Sequence, residues 1–215
     1  MRAEERIDDP QEALRLAMEG QLSNLWTALP AIIVSADYTK QTLTAQPTIS
    51  ATITNQQQQK QTVKMPLLVD VPFQCYGGSD FIFTIPNLAG SECLIVFASR
   101  CIDSWWQNGG VQNPAEHRMH DLSDGFAIIG FNSQPNKIIN YNTSAPELRS
   151  RDNATKITMT PSNITITSAS VTVNGNMTVN GTIHSTGDTT AGSISLKSHT
   201  HGGITTGTSS TGAPQ

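Results

Sequence analysis

The spacing of apolar residues changes twice along the chain. Near the N-terminus, Leu14, Met18, Leu22, Leu25 and Leu29 follow one another at steps of four, four, three and four. That spacing is a single apolar stripe on a helix. Asp9-Pro10-Gln11-Glu12 supplies its start: Asp9 as cap, Pro10 at the first helical position, Glu12 at the third to complete a capping box. Pro30 predicts its end. The stripe needs a surface, either its own domain or a neighbouring subunit or partner.

From Ala31 the period shortens to that of strands. Ala31 to Tyr38 and the longer run Thr42 to Ile53 read as the first two. Asn55 to Lys60, with four consecutive glutamines, reads as a hairpin tip in solvent, and Val63 to Val71 resumes strand character. Phe81–Pro86, Glu92–Phe97 and Phe126–Phe131 follow, separated by Gly, Pro and Asn turns. Several such strands over about a hundred residues predict a small Greek-key barrel or sandwich.

After Asn153 the pattern changes again. Apolar pairs at i and i+2 recur: Ile157/Met159, Ile164/Ile166, Val171/Val173 and Met177/Val179, their first members seven, seven and six residues apart. Ile183 and Ile194/Leu196 continue the series. This is a repeat of very short strands with tight turns. Each strand puts only about two medium-sized side chains on one face, too little to offset the entropy of ordering a lone chain. A single-chain solenoid has longer coils, about 20 residues each. Three chains wound about one axis meet the need: each contributes a wall, and few strand edges stay unpaired.

Composition sharpens the division. No Trp, Tyr or Phe lies beyond Tyr141, so only the first two-thirds can build an aromatic-anchored core. Net charge is −4 and no Lys/Arg stripe stands out, so no nucleic-acid partner is expected. No run approaches the roughly 18 apolar residues of a membrane span. Met1 to Arg6 is charged with no apolar stretch behind it, so no signal peptide is expected. Cys75, Cys93 and Cys101, an odd number without CxxC spacing, read as buried free thiols in a reducing cytosol. The Asn-x-Ser/Thr triplets at Asn142, Asn153, Asn163, Asn176 and Asn180 then carry no glycosylation meaning.

Two stretches offer candidate chemistry. The loop from Arg100 to Asp124 holds His117, His120, Asp103, Asp121 and Asp124. HxxH beside carboxylates can bind a metal. There is no HExxH motif and no nucleophile signature, however, so a loop capping the barrel is the expected role, with contact to a partner as the alternative. The second stretch is Ser198-His199-Thr200-His201-Gly202-Gly203. In an extended chain, residues i and i+2 point to one face, so His199 and His201 present two imidazoles together. Two ligands are too few for a closed site, but a trimer would bring three such pairs to its axis around one metal ion. His184 falls in the shaft, where its side chain could face in or out. From Asn153 onward the only acidic residue is Asp188, so the carboxylate pair of a glycan-cleaving enzyme is missing and no enzyme is expected.

Gly187 to Gly203 with its Thr/Gly/Ser/Pro tail resembles the tip of phage baseplate central-spike proteins, the membrane-piercing spikes of contractile tails. Asp103 to Gly110 and His117 to Asn132 are similar to that family's N-terminal domain. The resemblance implies a mainly β homotrimer: an N-terminal helix, an oligosaccharide/oligonucleotide-binding (OB-fold-like) Greek-key barrel, then an intertwined triple-stranded β-helix. The corresponding division is an arm and helix over 1–30, a barrel and hub-attachment collar over 31–148, a shaft over 149–198 and a metal-binding tip over 199–215. The family further implies one iron ion per trimer, held octahedrally by the histidines at the positions of His199 and His201. Further ions inside the shaft are compatible with it. The expected partners are two more copies of the chain, the tail hub or baseplate, and the host outer membrane. The expected location is the virion tail tip, after assembly in the host cytoplasm. The expected function is mechanical piercing of that membrane. The competing reading is a trimeric receptor-binding tail fibre or adhesin that recognises a cell-surface glycan.

Overall fold

The helical stripe becomes α1 (Pro10–Ser23), with Pro10 in the first turn, where its missing N–H leaves no helical bond unmade. The computed structural model describes residues 10–23, 25–55, 57, 59–201, 203 and 207. The cap at Asp9, the charged start Met1 to Arg6, two of the four glutamines (Gln56 and Gln58), Gly202 and most of the tail beyond Gly203 lie outside them. α1 ends short of Leu29. Ala28, Leu29 and Pro30 instead open β1 (Ala28–Asp37), where Leu29 pairs opposite Ile95 and packs against the core. A place in a sheet outweighs one more helical turn. No side chain of α1 is buried, and Leu14, Met18 and Leu22 stand exposed.

The chain folds as two compact units, residues 1–144 and 145–215. In the first, β1 is followed by β2 (Thr42–Pro47), β3 (Ala51–Thr54), β4 (Lys60–Val63), β5 (Leu68–Pro72), β6 (Tyr76–Gly77), β7 (Ile82–Phe83), β8 (Glu92–Phe97), α2 (Asp103–Asn108) and β9 (Gly125–Ile129). The long strand expected from Thr42 to Ile53 is two. Thr48 donates its backbone N–H to the Pro30 carbonyl at 2.9 Å as β2 ends, and β3 leaves to pair with β4. The polar insertion is the tip of that hairpin: the Asn55 side-chain oxygen accepts the N–H of Gln57 at 3.0 Å and of Gln59 at 2.8 Å. The run Val63 to Val71 likewise divides between β4 and β5, and Phe81–Pro86 contributes only β7.

Five strands form one sheet in the order β5-β2-β1-β8-β9, every neighbour antiparallel. The sheet curls until its ends meet in a parallel bridge, Phe73 to Ala127, reinforced by Gln74 N–H to the Ala127 carbonyl at 2.9 Å. This is a partly open, OB-fold-like half-barrel. Its core follows strand alternation: Ala31 and Ile33, Leu43 and Ala45, Cys93, Ile95 and Phe97, Ala127 and Ile129. On β5 the step is three, Leu68 to Val71, because a bulge intervenes with Asp70 at φ +52°. The bulge returns Val71 to the core face and bends the strand toward closure.

The second unit opens with a meander, β10 (Glu147–Arg149), β11 (Lys156–Thr160) and β12 (Asn163–Thr167). Ile157 pairs opposite Ile166 and Met159 opposite Ile164. A last hairpin joins β13 (Thr190–Ala191) to β14 (Ile194–Ser195), with Gly192 at φ +60° in the first of two turn positions, a place that favours glycine. Between β12 and β13 no strand forms within the chain. Along this stretch and beyond it the apolar repeat faces solvent: Met177 is 67% exposed, Ile183 73% and Leu196 69%.

Two of the three thiols match the expected burial. Cys93 and Cys101 are buried, whereas Cys75 is exposed, just after β5 leaves the barrel. Burial pushes the Cys93 thiol up to about 11, away from the reactive thiolate. Alkylation of the folded protein at neutral pH should therefore mark Cys75 first, with Cys93 protected until denaturant is added. Peptide mapping that finds Cys93 labelled as fast as Cys75 would contradict this packing.

Candidate functional site

The loop that joins β8 to β9 is organised by a single cation. Asp124 is fully buried at the entrance to β9. Its Oδ1 accepts the Ile102 N–H at 2.9 Å, and its two oxygens take the fork of Arg118, Nε to Oδ2 at 2.7 Å and Nη2 to Oδ1 at 3.1 Å. The same guanidinium donates to Asp103 Oδ2 at 2.7 Å and to Glu116 Oε2 at 2.8 Å. A planar fork fits several carboxylates at once, which a point charge cannot do. The hydrogen bond to Asp124, then that to Asp103, holds Arg118 more firmly protonated than usual. Asp121 anchors the adjoining turn by accepting the Ser123 N–H at 2.9 Å, and this bond keeps its carboxyl below the ordinary range.

This arrangement accounts for the loop without a ligand. Cys101, Asp103 and Asp124 bring possible metal-binding atoms within 4.8 Å of one another, but Arg118 already occupies both carboxylates. The HxxH spacing does not converge on that group. His117 is exposed, and His120 acts through its backbone, donating to the Ala98 carbonyl and accepting from Trp26 N–H, both at 3.2 Å. These bonds fasten the loop to the start of α2 and to the entrance of β9.

The tip is built differently. Asp188 precedes the β13–β14 hairpin, and its Oδ1 accepts the Lys197 N–H at 3.1 Å on the far side of that hairpin. The Ser195 hydroxyl binds the same carboxylate and, with the Lys197 N–H, keeps it below the ordinary range. Ser195 Oγ also accepts the Ser198 N–H at 3.0 Å and lies 2.8 Å from Ser198 Oγ. The Ser195 carbonyl in turn accepts the His199 N–H at 3.1 Å and stands 2.9 Å from His199 Nδ1. A carbonyl can only accept, so Nδ1 carries the proton and Nε2 keeps a free lone pair.

His199 and His201 are brought together, ring centroids 5.1 Å apart and planes 78° apart. The two rings are adjacent, and their imidazole nitrogens are donors of a kind that binds several first-row ions. Both rings are exposed. His184 is exposed and takes no part in this pair.

Sequence reasoning missed two groups. Arg118 was legible as the cation among Asp103, Glu116 and Asp124. Asp188 was legible as the lone acid of the last third, set shortly before the histidines. The link between Ser195 and His199 is a matter of turn geometry and had no signal in composition.

Residues 29–130 match the family model for the phage protein Gp138 N-terminal domain, which spans the whole half-barrel. Residues 193–215 match the model for the GpV Apex motif, which includes both tip histidines. None of the curated proteins matches the chain.

Replacing Arg118 with Ala should leave Asp124 buried without its counter-charge and cost about 3–5 kcal/mol of stability. Arg118→Lys should recover little of that, since an ammonium cannot reproduce the fork. Urea unfolding monitored by Trp fluorescence measures both. Parent-like stability of Arg118→Ala would contradict the clamp.

Proposed function

We propose, for a chain whose two family matches are those of a phage baseplate central spike protein, that it forms the piercing point of a contractile tail. In this reading three copies wind their C-terminal units about one axis. The half-barrels form a collar on the tail hub, and assembly takes place in the host cytoplasm before the spike joins the virion. Sheath contraction then drives the point into the host outer membrane. The work is mechanical: a narrow, stiff end concentrates force on a small area and needs no reaction of its own.

The observation that carries this reading is the apolar repeat left facing solvent in one chain, leading to a pair of adjacent imidazoles. Burying a Val, Ile, Leu or Met side chain is worth about 1.5–3 kcal/mol. Ordering one residue of backbone costs about 1–2 kcal/mol. With one apolar residue at every third or fourth position, burial offsets only part of that cost even when complete, and almost none of it when the side chain stays in water, so neighbouring chains must supply both the burial and further backbone pairing. His199 and His201 would then meet their counterparts at the axis, two imidazoles from each of three chains around one iron ion. Bound there, the ion supplies a cross-link among chain ends that would otherwise fray.

Elemental analysis of the purified full chain should find iron at one equivalent per three chains. The double variant His199→Ala/His201→Ala should lose it while keeping the β-rich circular dichroism spectrum of the parent. Iron retained by the double variant would remove the tip from the assignment.

A further inference from the structure

The tip contains more than two ligands and a tail. We propose that Asp188 and Ser195 form a positioning clamp that presents His199 to the metal through Nε2 alone. This rests on the metal-binding reading of the tip.

The chain of contacts is continuous. Asp188 Oδ1 accepts the Lys197 N–H across the hairpin at 3.1 Å. The Ser195 hydroxyl oxygen accepts the Ser198 N–H at 3.0 Å and the Ser198 hydroxyl at 2.8 Å, which leaves its own proton for the nearby Asp188 carboxylate, held below its ordinary range by Ser195. The turn from Ser195 to Ser198 is thereby fixed at both ends. Leu196 N–H to the Thr189 carbonyl at 2.8 Å closes the same hairpin from the backbone. The fixed turn aims the Ser195 carbonyl, and that carbonyl holds His199 twice, at the backbone N–H and at Nδ1.

An imidazole so held has one tautomer and one ring orientation before any ion arrives. Partners of this kind on a ligating histidine raise its basicity and reduce the cost of ordering it on binding. His201 has no such carbonyl contact among the described residues; its companion is the His199 ring itself. The two ligands are therefore unequal: His199 is preset by the hairpin, and His201 is set by its neighbour. Asp188 is the outermost member and touches neither ring, so its effect on the metal must pass through the turn.

The test compares full-length parent, Asp188→Leu, Asp188→Asn and Ser195→Ala proteins loaded with iron. Two quantities are read: the rate of iron loss to excess EDTA, and the imidazole signal in iron-edge X-ray absorption. Asp188→Leu has no acceptor and should lose iron at least about tenfold faster, with a weakened imidazole signal. Asp188→Asn keeps a carbonyl oxygen for the Lys197 N–H and should stay closer to the parent than Asp188→Leu in both. Ser195→Ala keeps the carbonyl but lacks the hydroxyl link, and should shift in the same direction as Asp188→Leu. If Asp188→Leu does not fold, Ser195→Ala against Asp188→Asn decides. Parent-like rates and spectra in the Leu and Ala variants would overturn the clamp and leave the metal reading intact. A parent protein that binds no iron would overturn both.

Discussion

Burial of apolar surface separates the two units of this chain. The first unit encloses its own core: Ala45, Ile95 and Ala127 are wholly excluded from water, and the surrounding sheet curls onto itself through the Phe73–Ala127 bridge. The second has no such interior among its described residues. Its meander pairs Ile157 with Ile166 and Met159 with Ile164, yet these strands are too short to cover what they present. Among the described residues beyond Thr167, Val171, Val173, Met177, Ile183, Ile194 and Leu196 stand exposed. A stiff shaft made of this segment depends on other walls, and the proposed trimer follows from that need.

The charged groups are placed in keeping with this division. In the first unit, one buried carboxylate is allowed because Arg118 answers it, and the cluster fastens a long loop across the end of the half-barrel. Such a cluster specifies where the loop sits more than it adds stability. At the tip, Asp188 stands in solvent and acts through directed hydrogen bonds rather than through charge burial. In the proposed trimer, near-neutral composition along the shaft would avoid repulsion between neighbouring chains.

Much of this was legible in the amino-acid pattern, for a physical reason in each case. β8 and β9 were readable because apolar residues filled short runs bounded by turn formers. The hairpin tip around Asn55 was readable because nothing in it could be buried. α1 was overextended because Leu25 and Leu29 continue a helical period by coincidence with β1, whose pairing to β8 cannot be seen locally. The run Thr42 to Ile53 looked like one strand because a strand that leaves its sheet keeps the same alternation. The bulge at Asp70 and the carbonyl behind His199 depend on backbone angles, which residue type constrains weakly. His199 and His201 themselves were plain, since two-residue spacing places them on one face wherever the chain is extended.

The most direct test of the central claim is the mass of the full-length protein in solution, by light scattering coupled to size-exclusion chromatography. The expected particle holds three chains of 23.1 kDa each. A particle of one chain, whose C-terminal unit would be ordered with its apolar repeat in water, would contradict the trimer.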